Sequence, residues 1–303
     1  MERIGRHILV CVYPQLIEVS YDPTNPDSGK LYIKHFFAEF ERRLGGCNGL
    51  NFFFSDELDF RIEGRFVWSE YLQSEFKKAK GYDIGNCADL LFVDYPDLSA
   101  KIKLDYNDVF VSLSEKNFFK SVYDWHESRG MIYGCDHGSR GKKVDEFGDY
   151  FRVIRWNQGP GCDQPHGESD LIKNKVASSI SHMYKRPRVW LEGFYASNWG
   201  QTPQHLSDAI FSNFAMGQNL LSLHGLYYST MGGWWEWAPP CNHFRQPYWK
   251  EMPTLLKCVQ RLSFLLSQGT HRADIAIMYP LEPRMWSEGK GLKVILQCAS
   301  LIK

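Results

Sequence analysis

The chain has 303 residues, 44% of them hydrophobic and 23% charged, with 35 basic and 35 acidic side chains and therefore no formal net charge. Such a composition can bury a sizeable core and excludes a disordered chain. The lack of a basic excess argues against nucleic acid as the main partner, and no run approaches the roughly 20 apolar residues that span a bilayer.

In chain order, Ile8 to Tyr13 reads as a short strand that stops at Pro14, too short for a secretory leader. A chain that starts almost directly in a strand suggests missing upstream sequence. Tyr32 to Leu44 has helical spacing, with Ile33, Phe36, Phe37 and Phe40 on one face. Leu50 to Phe54 is a buried-strand run, Val67 to Lys80 a helix, and Asp105 to Arg129 a long amphipathic helix. Gly130 to Tyr133 is a strand. Residues 139–168 read as irregular, with a short strand at Phe151 to Ile154. Leu171 to Tyr184 is a helix, and Arg188 to Leu191 a strand. Thr202 caps the next helix, with Pro203 in its first turn, and that helix runs to about Gly217. Asn219 to Leu223 is a strand, Tyr248 to Gln268 a helix, and Ala273 to Tyr279 a final strand.

The repeat of strand, polar tip, loop and helix predicts βαβ units and a parallel sheet. The apolar runs ending at Phe54, Tyr133, Leu191 and Leu223 are each followed within three residues by an acid or a histidine. Polar residues at the carboxyl ends of parallel strands are where a (β/α)8 barrel builds its active site. A doubly wound sheet is the alternative, but no G-x-G-x-x-G or P-loop follows any strand. About six strands precede residue 270, where a barrel needs eight. The expected organisation is therefore an incomplete barrel over residues 1–270, with 271–303 opening a following α/β or β domain.

Glycosidic bond cleavage usually needs two carboxyl groups facing one bond. Glu192, between a strand run and Gly193, is the leading candidate; the competing reading is a buried salt bridge. Glu57 is second, and within Asp56-Glu-Leu-Asp59 either aspartate could act instead or the cluster could bind a cation. Asp136, His137 and His224 suit sugar hydroxyls, since carboxylates accept and imidazoles donate or accept. The loop Gly232 to His243 holds Trp234, Trp235 and Trp237, which either line a pocket or pack over the rim; it also holds Glu236. No nucleophile elbow, H-E-x-x-H zinc pair or C-x-x-C pair occurs.

Four segments carry a resemblance: Phe53-Phe-Ser-Asp-Glu-Leu, Tyr133-Gly-Cys-Asp-His-Gly, Arg188-Val-Trp-Leu-Glu-Gly-Phe-Tyr and Leu223-His-Gly-Leu-Tyr-Tyr-Ser. With the Trp loop and the run from Leu265 to Pro280, they resemble the barrel of glycoside hydrolase family 106, the α-L-rhamnosidases. The resemblance implies an inverting hydrolase that removes terminal α-L-rhamnose from a glycan, with a calcium ion near the sugar. It places the catalytic carboxylates at Glu192 and Glu57, a separation of about 6.5–9.5 Å being expected for inversion. Asp56, Asp136, His137, His224, Tyr227, Trp234, Trp235, Trp237 and His243 are then expected to contact the sugar. Family members are longer, carry β-sandwich domains and are typically exported, so this chain is expected to be a truncated portion. Two other readings stand beside it: a retaining β-galactosidase-like glycosidase, and an inactive carbohydrate-binding fragment.

Overall fold

Short apolar runs build the sheet. In the computed structural model, which describes residues 11–14, 22–58, 66–95, 97–136, 149–226 and 242–279, each strand spans four residues. They are β1 (Phe52–Ser55), β2 (Ile132–Cys135), β3 (Gly161–Gln164), β4 (Trp190–Gly193) and β5 (Leu220–Leu223). Every pairing is parallel and follows chain order, β1 with β2 and β3 with β4 and β5. Helices lie between them, as parallel crossovers require. A backbone bond from Gly159 N–H to the Tyr133 carbonyl, 3.1 Å, ties the approach to β3 onto β2.

Alternation along each strand separates two faces. Tyr133 and Cys135 point outward into an apolar cluster with Phe37, Phe110, Phe118 and Val122 from the helices. Leu191 does the same, joining Phe194, Leu206, Ile210 and Met252. The opposite face carries Phe52, Phe54 and Trp190. The Trp190 ring lies 4.8 Å from Phe54 and 6.1 Å from Phe52, centroid to centroid. In a flat sheet β1 and β4 would be about 14 Å apart, three strand spacings. Their rings meet only because the strands curl around this inner face. Gly161 is what lets Trp190 lie there: a Cβ at that position would stand 2.2 Å from Trp190 Cε3 and 2.7 Å from its carbonyl oxygen.

Caps stop the helices where short polar residues and glycine permit it. Ser69 accepts from Leu72 N–H at the start of Glu70–Lys80, and Gly81 ends that helix in the left-handed region. Thr202 accepts from His205 N–H ahead of Pro203–Ala215, as its sequence implies. Among the described residues no helix is long and apolar enough to cross a membrane.

Several expectations change. The first helix runs Ser28–Tyr32, then π-helical Ile33–Phe37, then Ala38–Leu44. The wider π turn rotates the later residues, so Phe37 is core while Phe36 and Phe40 are 56% and 52% exposed. The long helix begins at Leu98 rather than Asp105 and passes through a second π turn, Glu115–Phe119. Phe151 to Ile154 is helix, not strand, because the Asp149 carboxylate accepts from Arg152 N–H and caps it. β3 lies in the stretch read as irregular. Ala273 to Tyr279 forms no strand, and Ile275, Ile277 and Met278 are exposed. Ile8 to Val10 lie outside the described residues, and residues 11–14 have no regular structure.

Two outcomes follow from this packing. Gly161→Ala forces Trp190 off β3 and should cost on the order of 3 kcal/mol in denaturant unfolding; a loss below about 0.5 kcal/mol would contradict the inner-face packing. His126 is buried among Phe37, Phe53, Trp125 and Tyr133, with Nδ1 donating to the Val122 carbonyl at 2.8 Å. Burial holds its pKa down to about 4, against 6.5 when unfolded. The unfolded state then binds the extra proton, so His126 contributes stability that is complete above pH 6.5 and lost as pH falls towards 4. His182, also held to about 4 by burial and by the stacked His271 ring, adds to the same window. His126→Phe should flatten, without abolishing, the decline measured by denaturant titrations at several pH values.

Candidate active site

At the carboxyl ends of the strands, just past β1 and β2 and within the last residues of β3 and β4, the inner face changes from rings to acids. Phe54, Gly134 and Trp190 form the last apolar layer, with Phe54 and Gly134 register partners and Gly134 close to the Phe52 ring. The next inward positions are Asp56, Asp136, Asp163 and Glu192. Oxygens of Asp56, Asp136 and Glu192 lie within 4.8 Å of one another, with Asp136 and Glu192 buried and Asp56 exposed. Three acids on three different strands converge because the sheet curls around Trp190.

Asp136 also organises the rim. Its Oδ1 accepts the Glu57 N–H at 3.0 Å, and its carbonyl accepts the Leu58 N–H at 3.3 Å. Glu57 has φ +42°, a left-handed conformation uncommon for a residue with a side chain. That buried carboxylate holds the turn after β1. Glu57 itself is exposed on the rim and stands outside the three-acid group.

Asp163 is a site residue that the sequence reading misses. It pairs in register with Glu192, is buried, and takes an ion pair from Lys173 Nζ at 3.0 Å. Gly161-Cys-Asp-Gln has no apolar run to announce a strand; the clue is an acid three residues beyond Pro160, in the same strand-tip position as the others. His224, just past β5, is half-buried; burial lowers its pKa, and the Asp56 carboxylate opposes that shift. Asn242 Nδ2 donates to the His224 carbonyl at 2.9 Å. His243 is buried and its Nδ1 accepts from Arg245 N–H at 3.2 Å. His137, Tyr227, Trp234, Trp235 and Trp237, with Asp59 and Glu236, lie outside the described residues.

Like charges at 4.8 Å repel by about 3 kcal/mol per pair at an effective dielectric near 20. Such a group could hold a metal ion. All three donors are hard carboxylate oxygens. Calcium–oxygen bonds of about 2.3–2.6 Å let two ligands on one ion stand up to about 5 Å apart. The spacing and donor chemistry could hold a hard metal ion, calcium among them, with Asp56, Asp136 and Glu192 as candidate ligands.

Parallel strands with convergent acids at their carboxyl ends define an α/β protein with a candidate site suited to a polar, hydroxyl-bearing or cationic ligand. A solved structure, a rhamnosidase from Novosphingobium sp. PP1Y, shares this fold with a TM-score of 0.67 at 18% identity, over 86% of this chain and 26% of that one. The chain thus spans about a quarter of that structure's length. No curated protein sequence matches it. The family model described as alpha-L-rhamnosidase, glycoside hydrolase family 106, matches residues 18–287. The chain belongs to that family of glycoside hydrolases.

If the three acids hold calcium, adding it should stabilise the fold by mass action, by about 2.7 kcal/mol at a hundred times the Kd, and so raise the melting temperature. Asp136→Asn should remove most of that shift. A melting temperature indifferent to millimolar calcium would remove the ion from the site.

Proposed function

We propose that this chain carries the catalytic portion of an inverting α-L-rhamnosidase, acting on terminal α-L-rhamnose of a glycan. The observation that carries the reading is the convergence of Asp56, Asp136 and Glu192 above the Trp190 layer in a chain of this family. The curl that brings β1 and β4 rings together supports an eight-stranded barrel, of which residues 1–270 supply part and 271–303 begin a following domain.

In this reading Glu192 and Glu57 are the two reacting carboxyls. One donates its proton to the glycosidic oxygen as the bond from the anomeric carbon breaks. The other takes a proton from the water whose oxygen bonds to the opposite face of that carbon. Glu192 is fixed by β4 and buried, whereas Glu57 sits on the rim, positioned through its amide by Asp136. Asp56 and Asp136 would hold calcium and, with His224 beside Asp56 and with His243, bind sugar hydroxyls. The ion, when bound, supplies positive charge and coordination for those hydroxyls. Trp190 and Phe54 exclude water from beneath the sugar.

Glu192→Gln keeps the shape and removes proton transfer, so turnover of an aryl α-L-rhamnoside should fall roughly 10²–10⁴-fold. A calcium-dependent melting shift that survives in that variant would leave the ion to Asp56 and Asp136, and one that is lost would keep Glu192 among the ligands. Proton NMR of the first product should show β-L-rhamnose. Initial α-L-rhamnose would make the reaction retaining, and a wild-type chain that neither binds nor cleaves rhamnosides would overturn the reading.

A further inference from the structure

The turn after β1 carries Asp56 and Glu57, and Asp136 ties it to the floor from inside the sheet. Among the described residues β1 pairs only with β2, so its carboxyl end has a ladder on one edge. Ser55, the last residue of β1 and the register partner of Cys135, is buried on the outward side. Its Oγ accepts from the Tyr133 hydroxyl at 2.9 Å and shares a 2.6 Å hydrogen bond with the Tyr32 hydroxyl. A serine hydroxyl has one proton and two lone pairs, so both bonds form together. One oxygen is thus gripped from β2 and from the Ser28–Tyr32 helix at once.

Tyr32 owes its place to an irregularity that the acid layer does not explain. It directly precedes the first π turn, Ile33–Phe37. Its ring packs 5.1 Å from Phe118 in the second π turn, Glu115–Phe119, and 5.3 Å from Phe37. Gly29 lets the two helices approach: a Cβ there would stand 2.6 Å from the Asn117 carbonyl oxygen and 2.7 Å from Ser121 Cβ. π turns inside α-helices are frequent at functional sites. Burial among these rings pushes the Tyr32 phenol pKa up, so its hydroxyl stays protonated throughout the neutral range.

We propose that Ser55 is a positioning residue: pinned between Tyr32 and Tyr133, it fixes the end of β1 so that Asp56 reaches the acid group and the Glu57 amide meets Asp136. Two clasps then act within three consecutive residues, on Ser55 from outside the sheet and on Glu57 from inside. The Asp56 carboxylate, within 4.8 Å of Asp136 and Glu192, lies between them. The bearing of this placement on turnover rests on the rhamnosidase reading; the clasp itself does not.

The test uses the full chain with Ser55→Ala, Ser55→Thr and Tyr32→Phe, each assayed well below its melting temperature. The first readout is amide hydrogen exchange at Glu57 and Leu58, whose N–H groups bond to Asp136. Ser55→Ala should speed it roughly tenfold and Tyr32→Phe roughly threefold, as expected for loss of one or two hydrogen bonds. The Trp190 amide, bonded to the Pro160 carbonyl, should keep its parent rate. The second readout is turnover of an aryl α-L-rhamnoside. In Ser55→Ala kcat should fall roughly tenfold with KM held within about threefold, the mark of a misplaced reacting group. Ser55→Thr, which keeps the hydroxyl, should restore both readouts, and Tyr32→Phe decides the matter if Ser55→Ala does not fold. Unchanged exchange at Glu57 and Leu58 overturns the clasp. Exchange raised throughout the chain, Trp190 included, assigns the effect to global stability and overturns it equally. Faster exchange at the turn with normal kcat in an active parent overturns the positioning role. A parent inactive on rhamnosides overturns the rhamnosidase reading, while exchange at Glu57 and Leu58 still decides the clasp.

Discussion

Everything at the inner face depends on Trp190 lying flat against a strand that has no side chain to resist it. Gly161 leaves the space, Phe52 and Phe54 close over the ring from β1, and the strands curl to bring them together. Remove that curvature and Asp56 and Glu192 would stand three strand spacings apart. The clustering of the acids is therefore a packing result before it is an electrostatic one. A buried aromatic gains on the order of 1.5–3 kcal/mol from leaving water, comparable to the repulsion that convergent carboxylates impose.

The balance of charge around the site follows the same division of labour. Lys173 reaches over from the helix after β3 to neutralise Asp163. Asp56, Asp136 and Glu192 share a small volume, and their hard oxygen donors are what a metal ion or a polar ring with many hydroxyls can answer. Glu192 belongs to this buried group while Glu57 stands at the surface, so the two carboxyls of the proposed reaction meet very different surroundings.

Much of this was legible in the sequence wherever an apolar run of three or four residues ended in an acid. Phe52-Phe-Phe before Asp56 and Val189-Trp-Leu before Glu192 announce both strand and site. The convergence of Asp136 with them follows from the same pattern. What escaped has physical reasons. β3 lacks apolar residues because its inner position must be glycine for Trp190 and its next inner position is an acid. Phe151 to Ile154 reads as strand by hydrophobicity, but the Asp149 cap decides for helix. A period of 3.6 residues cannot anticipate a π turn, so Phe36 and Phe40 looked like core and are not. Ile275 and Ile277 have strand composition but no ladder to join.

The bonds from the Glu57 and Leu58 amides to Asp136 tie the rim to the floor of the site. A turn in the left-handed region that leans on a buried carboxylate shares that carboxylate with whatever else it binds. Whatever occupies the floor therefore competes with, or reinforces, the clasp on the rim.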